Sequence, residues 1–147
     1  RPKEHVMADV AVKTFEREES QFQIYGISTS YFDKNVIVFP RAFDEDGNTL
    51  IDISTVMARY GIRMRTIISA KLYWEWIHNG IYNPDKNAAR LCHSFLYAID
   101  MDNTGSSTLD FTVPYFVPET GLNMIAVRAR ICGCKSERHI LITLAGE

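Results

Sequence analysis

From Leu109 to Tyr115 the chain reads Leu-Asp-Phe-Thr-Val-Pro-Tyr, with apolar and polar positions in alternation. That is the period of a strand with one face buried. Pro114 and Pro118 follow or fall within it, and neither can donate to a sheet ladder. The pattern predicts a strand that leaves its sheet at Val113-Pro114-Tyr115, on an edge or at a corner where two sheets meet. A second alternation sets Ile68, Ala70, Leu72, Trp74 and Trp76 against Ser69, Lys71, Tyr73 and Glu75. It predicts a long strand with one strongly apolar face, broken by Asn79-Gly80 and Asn83-Pro84-Asp85.

Shorter strands are predicted around Phe22 and Ile24, and at Val36-Ile37-Val38-Phe39 before Pro40. Others fall at Phe95-Tyr97-Ile99, Ile125-Val127-Ala129-Ile131 and Ile140-Ile142-Leu144. Asp44-Glu45-Asp46-Gly47-Asn48 has the chemistry of a turn, with Asx side chains that bond nearby backbone and a glycine for positive φ. Asp102-Asn103-Thr104-Gly105 reads as the loop of a hairpin. One short helix is expected. Asp52 or Ser54 supplies its N-cap, Ile53, Val56, Met57 and Tyr60 share a face, and Gly61 sits where a glycine ends a helix.

About seven short strands with turn signals between them predict an all-β fold, an antiparallel β-sandwich or barrel with one short helix. The 147 residues suit one core rather than two. Residues 1–20 are polar and irregular, with the charge cluster Glu16-Arg17-Glu18-Glu19. They read as an N-terminal arm outside a domain formed by residues 21–147. The chain begins with Arg1, as a processed product, a domain or a fragment would. Three cysteines are too few for a disulfide framework, which favours a reducing compartment.

Charge narrows the function classes. A formal net charge of −2 argues against a strong positive field as the main grip on duplex nucleic acid. No apolar run reaches the roughly 18 residues that a membrane span needs. Cys132-Gly133-Cys134 with His139 has one residue between its thiols, and a zinc site would need Cys92 and His93 as a second pair. Small thiols at a strand end account for it better. Asp100 to Gly105 imitates the start of a calcium loop, but Phe111 stands where the bidentate glutamate belongs. No nucleophile elbow is present, and the histidines His5, His78, His93 and His139 have no partner that sequence can place. Neither enzyme activity nor a cofactor or metal is expected.

The arginines and aromatics remain. Arg59, Arg63 and Arg65 flank the helix end, and Arg128 and Arg130 line the polar face of one strand. They suit either a subunit-facing surface or a groove for single-stranded RNA. Trp74 and Trp76 read as core. Tyr115 and Phe116 follow a strand end, where aromatic side chains often anchor protein contacts.

Three segments resemble the jelly-roll capsid subunits of picorna-like positive-strand RNA viruses. Ile53-Ser54-Thr55-Val56-Met57-Ala58-Arg59-Tyr60 is similar to the short helix and Arg-Tyr after the second strand of insect and plant members. Leu109-Asp110-Phe111-Thr112-Val113-Pro114-Tyr115 is similar to the family's strand ending in an apolar-Pro-aromatic corner. Ile140-Leu141-Ile142-Thr143-Leu144-Ala145-Gly146-Glu147 is similar to its final strand and glycine exit. The resemblance implies a β-sandwich of jelly-roll type that assembles with other capsid subunits into an icosahedral shell around single-stranded RNA. It places the chain in the virion, and in host cytoplasm during assembly. Tyr115, Phe116, Arg59 and Arg63 become candidates for subunit contacts, and Arg128 and Arg130 for RNA contacts. The alternative is a small β-sandwich module that binds a glycan or peptide through Trp74, Trp76 or Tyr82.

Overall fold

The computed structural model describes residues 24–25, 39–78, 84–133 and 137–147. The expected arm, Val36-Ile37-Val38, Tyr82 and Cys134 lie outside them. Among the described residues one mixed sheet of seven strands runs in the order β1-β2-β3-β4-β7-β6-β5. The strands are β1 (Ile24–Tyr25), β2 (Arg41–Phe43), β3 (Thr49–Asp52), β4 (Thr66–Ser69), β5 (Thr108–Val117), β6 (Gly121–Cys132) and β7 (His139–Leu144). The fold is β-rich, as the alternation predicts. It departs from an all-antiparallel arrangement at one place, where β4 pairs parallel with β7.

The turn at Asp44–Asn48 forms as expected. Asp44 Oδ1 accepts from the amides of Asp46 at 2.9 Å and Asn48 at 2.8 Å, and Gly47 has a φ of 83°. This closes the β2–β3 hairpin. Helix α1 (Ser54–Arg59) also forms where the sequence places it. The Ile62 amide donates to Met57 O at 3.1 Å and the Gly61 amide to Ala58 O at 3.2 Å, with Gly61 at a φ of 95°. These bonds satisfy carbonyls that the helix end would leave orphaned. Asp52 Oδ1 accepts from the Ser54 amide at 2.9 Å, while Ser54 itself is the first helical residue. Ile53, Val56 and Met57 are buried but Tyr60 is exposed, so the predicted apolar face is one residue shorter.

Two predicted strands are helical instead. The strand expected over Ile68–Trp76 ends at Ser69, whose Oγ accepts from the Leu72 amide at 3.2 Å and starts a helical turn, α2 (Ala70–Leu72). Wider π-helical backbone follows over Tyr73–Ile77, closed by His78 N donating to Tyr73 O at 2.8 Å. Phe95, Tyr97 and Ile99 belong to α3 (Pro84–Met101). Its buried positions Ala88, Leu91, Cys92, Phe95 and Ile99 recur at helical spacing, whereas Tyr97 points outward. Pro84 opens α3 at the position that lacks a hydrogen-bond duty, and Asp85 in the first turn complements the helix dipole. Asp102–Gly105 therefore joins a helix to a strand rather than two strands. Asp102 Oδ1 accepts from both the amide and hydroxyl of Thr104.

The sheet's helix-covered face holds the main core, with Ile51, Ile68, Val113, Tyr115, Val127, Ala129, Ile140 and Ile142 packed beneath α1 and α3. Each buried Leu, Ile or Phe side chain there contributes about 1.5–3 kcal/mol. The opposite face carries a smaller apolar cluster of Ala42, Leu50 and Ile67, with Leu141 packed against it. The second layer over the main core is thus helical, not the second sheet expected of a sandwich.

Candidate assembly interface

The longest feature of the sheet is the β5–β6 hairpin, paired in continuous register from Thr108↔Arg130 to Val117↔Gly121. Gly121 takes a φ of 80° at its turn. Because side chains alternate, the hairpin has two different faces. Leu109, Phe111, Val113 and Tyr115 look toward α3, and Phe111 stacks on Phe95 at 5.5 Å between ring centroids. Thr108, Asp110, Thr112, Pro114 and Phe116 look the other way, opposite Arg130, Arg128, Ala126, Met124 and Leu122.

That outward face has two zones. At the turn end Phe116 is 41% exposed, Leu122 64% and Met124 57%, and with Pro114 they form one apolar patch of cross-strand neighbours. Nearer the middle, Arg128 grips Asp110 through both nitrogens of its fork: Nε donates to Oδ1 at 2.6 Å and Nη2 to Oδ2 at 3.1 Å. The guanidinium holds the Asp110 carboxyl below the usual carboxylate range, and the carboxylate raises Arg128 in turn. Arg130 lies on the same face, between Thr108 and Leu141 in register.

The structure sorts the residues singled out by sequence. Phe116 is on the exposed patch. Tyr115 is not: it is fully buried, stacked on Trp76 with ring centroids 6.0 Å apart, because strand alternation sends adjacent residues to opposite faces. Its burial pushes the phenol well above its ordinary range. Arg59, in the last turn of α1, donates to Asp85 Oδ1 at 3.0 Å and so ties α1 to α3. Arg63 is exposed in the loop after α1. Arg128 and Arg130 share one face, as the alternation predicts, and Arg128 spends its charge on Asp110. Sequence reasoning missed Leu122 and Met124. Their signal was the alternation Leu122, Met124, Ala126 against Ile125, Val127, Ala129, which marks two apolar faces on one strand.

No family model, curated protein or solved structure matches this chain.

Chemistry at the other end of β6 is muted. A recess of about 330 Å³ on the outward face is lined by Phe43, Asp44, Leu50, Cys132 and His139, among others. Cys132 and His139 are cross-strand partners. Burial raises the Cys132 thiol and lowers the His139 imidazole, so the pair is driven toward neutral thiol and neutral imidazole. A nucleophilic cysteine needs the reverse, a thiolate beside a cation. Cys92, whose thiol burial pushes up to about 12, lies on the buried face of α3, on the other side of the sheet. Among the described residues no three metal-ligating side chains converge, and no helix is long and apolar enough to cross a membrane.

Proposed function

We propose that this chain is a structural subunit whose work is assembly: a coat protein that packs with other coat proteins into an icosahedral shell around single-stranded RNA. The observation that carries the proposal is the outward face of the β5–β6 hairpin. Phe116, Leu122, Met124 and Pro114 offer a contiguous apolar centre, and Asp110, Arg128 and Arg130 give it a polar flank. Apolar patches of this kind on a soluble surface mark protein contacts, and an apolar centre with a polar rim is the usual build of an interface.

The jelly-roll form of the proposal draws support from the second apolar cluster. Ala42, Leu50, Ile67 and Leu141 form a small apolar area on the face away from the helices, where a second sheet could pack as in a sandwich. Arg59, already paired with Asp85, Arg63 and Phe116 are the exposed contact candidates, Arg130 is the candidate for RNA, and the N-terminal arm would knit neighbouring subunits together. Electron microscopy of the concentrated full chain, alone and co-expressed with any coat-like domains encoded beside it, tests the reading. Closed particles are expected, and Leu122→Ser with Met124→Ser should abolish them while leaving a folded chain. A stable monomer at high concentration that also ignores those partners would overturn it.

A ligand-binding module is the second reading, favoured by one observation. Trp74 projects from the π-helical turn into solvent, with Tyr73 at 4.9 Å and His78 at 5.1 Å between ring centroids. Trp76 is instead half-buried against Tyr115. Capture on immobilised glycans or peptides that is lost in Trp74→Ala would favour this module.

A further inference from the structure

We propose that two copies of this chain pair edge to edge through β5, antiparallel across a two-fold axis at Phe111, so that their sheets become continuous. The inference rests on the self-associating reading above but uses a different surface.

Among the described residues β5 is the last strand in the sheet order. Ser107 O accepts from the Ile131 amide at 2.9 Å, so the backbone groups of odd-numbered β5 residues point to β6. Those of Thr108, Asp110, Thr112, Pro114 and Phe116 point to the free edge. Such a row accepts one kind of occupant, another extended backbone. Pro114 lacks an N–H and interrupts the row, leaving Thr108 to Thr112 as the unbroken stretch.

The same stretch lies beside an open groove of about 440 Å³ between α3 and β5, lined by Ser94, Tyr97, Ala98 and Phe111 among others. Tyr97 is 68% exposed and Met101, one turn further along α3, is 62% exposed. A two-fold pairing of β5 edges would put the α3 helices of both copies on the same side of the joined sheet, with these exposed side chains turned toward the seam. Edge and stripe would be buried together, which is what a second copy supplies and a lone peptide does not.

Charge and proline choose the register. With the axis at Asp110, two carboxylates would face each other, which is unfavourable across a strand pair. With the axis at Thr112, Pro114 would leave the Asp110 carbonyl without a donor in the middle of the ladder. With the axis at Phe111, Asp110 pairs with Thr112 of the second copy, and the Pro114 carbonyl accepts from its Thr108. The missing donor then falls at the ladder's end, in water. Each Asp110 is already matched by its own Arg128, so the edge carries little net repulsion.

Light scattering coupled to gel filtration and amide hydrogen exchange test this on the full chain. A doubled mass is expected, with concentration-dependent protection of the Thr108, Asp110 and Thr112 amides and none at Phe116. Thr112→Pro removes a donor from the free edge without touching the β5–β6 ladder. It should weaken dimerisation about tenfold or more. Self-association unchanged in Thr112→Pro overturns edge pairing and leaves the assembly proposal standing. Should that variant misfold, the exchange pattern of the natural chain decides, and protection that extends through Phe116 or omits Thr112 overturns the pairing. A natural chain that stays monomeric alone also overturns it, and particle formation in the co-expression above answers the earlier question separately.

Discussion

Arg65 Nε donates to Asp52 Oδ2 at 3.2 Å, in a pair whose side chains are only 2% and 10% exposed. The other oxygen of Asp52 holds the Ser54 amide at the start of α1. One carboxylate therefore fixes both the helix start and a buried guanidinium. Arg65→Met should cost about 3–5 kcal/mol, because it strands a buried charge. Combining it with Asp52→Leu should recover much of that loss, since an apolar pair of similar volume often matches a buried ion pair. Urea denaturation of the two singles and the double checks both statements.

Tyr115 separates shape from polarity. Its hydroxyl is buried with no hydrogen-bond partner among the described residues, while its ring stacks on Trp76. Tyr115→Phe should leave stability unchanged or raise it by up to about 1 kcal/mol, because an unmet polar group is removed. Tyr115→Ala should lower it by about 3–5 kcal/mol through the cavity it opens. Thermal and urea unfolding distinguish the two.

His139 gives a pH dependence with a definite sign. Burial lowers its pKa from 6.5, opposed by the hydrogen bond to Glu137 O at 2.8 Å and reinforced by the nearby Arg65 charge. A group protonated more readily unfolded than folded stabilises the fold above its unfolded pKa. That contribution is lost as pH falls through the folded value. Stability should therefore decline as pH drops below about 6.5, and His139→Gln should flatten that slope by up to one proton. Urea midpoints measured from pH 7.5 to pH 5 show whether it does.

Two glycines with similar backbone should respond differently to alanine. Gly121 and Gly133 have φ values of 80° and 75°, so both substitutions carry the cost of a left-handed residue, about 1 kcal/mol. At Gly121 an added methyl meets open space, whereas at Gly133 it lands on the Glu137 carbonyl. Gly133→Ala should cost about 2–3 kcal/mol in all and loosen the connection from β6 to β7. Unfolding curves of the two variants, run side by side, give the difference.

How much of this was legible in the sequence depended on range. The Asp44–Asn48 turn and α1 with its Gly61 exit rest on contacts a few residues apart, and both were readable. So was the two-faced strand through Phe111. The helix α3 was missed because Phe95, Tyr97 and Ile99 satisfy a two-residue period. The stripe Ala88, Leu91, Cys92, Phe95, Ile99 carries the helical one, and a short window cannot rank them. The Trp74 and Trp76 strand failed for a local reason, since Ser69 caps a helix there. The expectation that the strand leaves its sheet at Pro114, on an edge or at a corner, does not hold: an edge strand needs no amide on its open side, and β5 continues in register to Val117. Nothing local announces that β4 and β7 run parallel, because their pairing joins residues more than seventy positions apart. The outward patch shared that difficulty: Leu122 and Phe116 become neighbours only once the hairpin closes.

The place of β7 in the sheet has a consequence for how the chain comes into being. It lies between β4 and β6, although it is the last strand in chain order among the described residues. On the ribosome, β2 to β4 and the β5–β6 hairpin can each take shape early, but they have no seam until His139–Leu144 emerges and slots between them. Nascent chains stalled short of that segment should hold two unjoined half-sheets, with the apolar flanks of Ile68 and Ala129 open to chaperones.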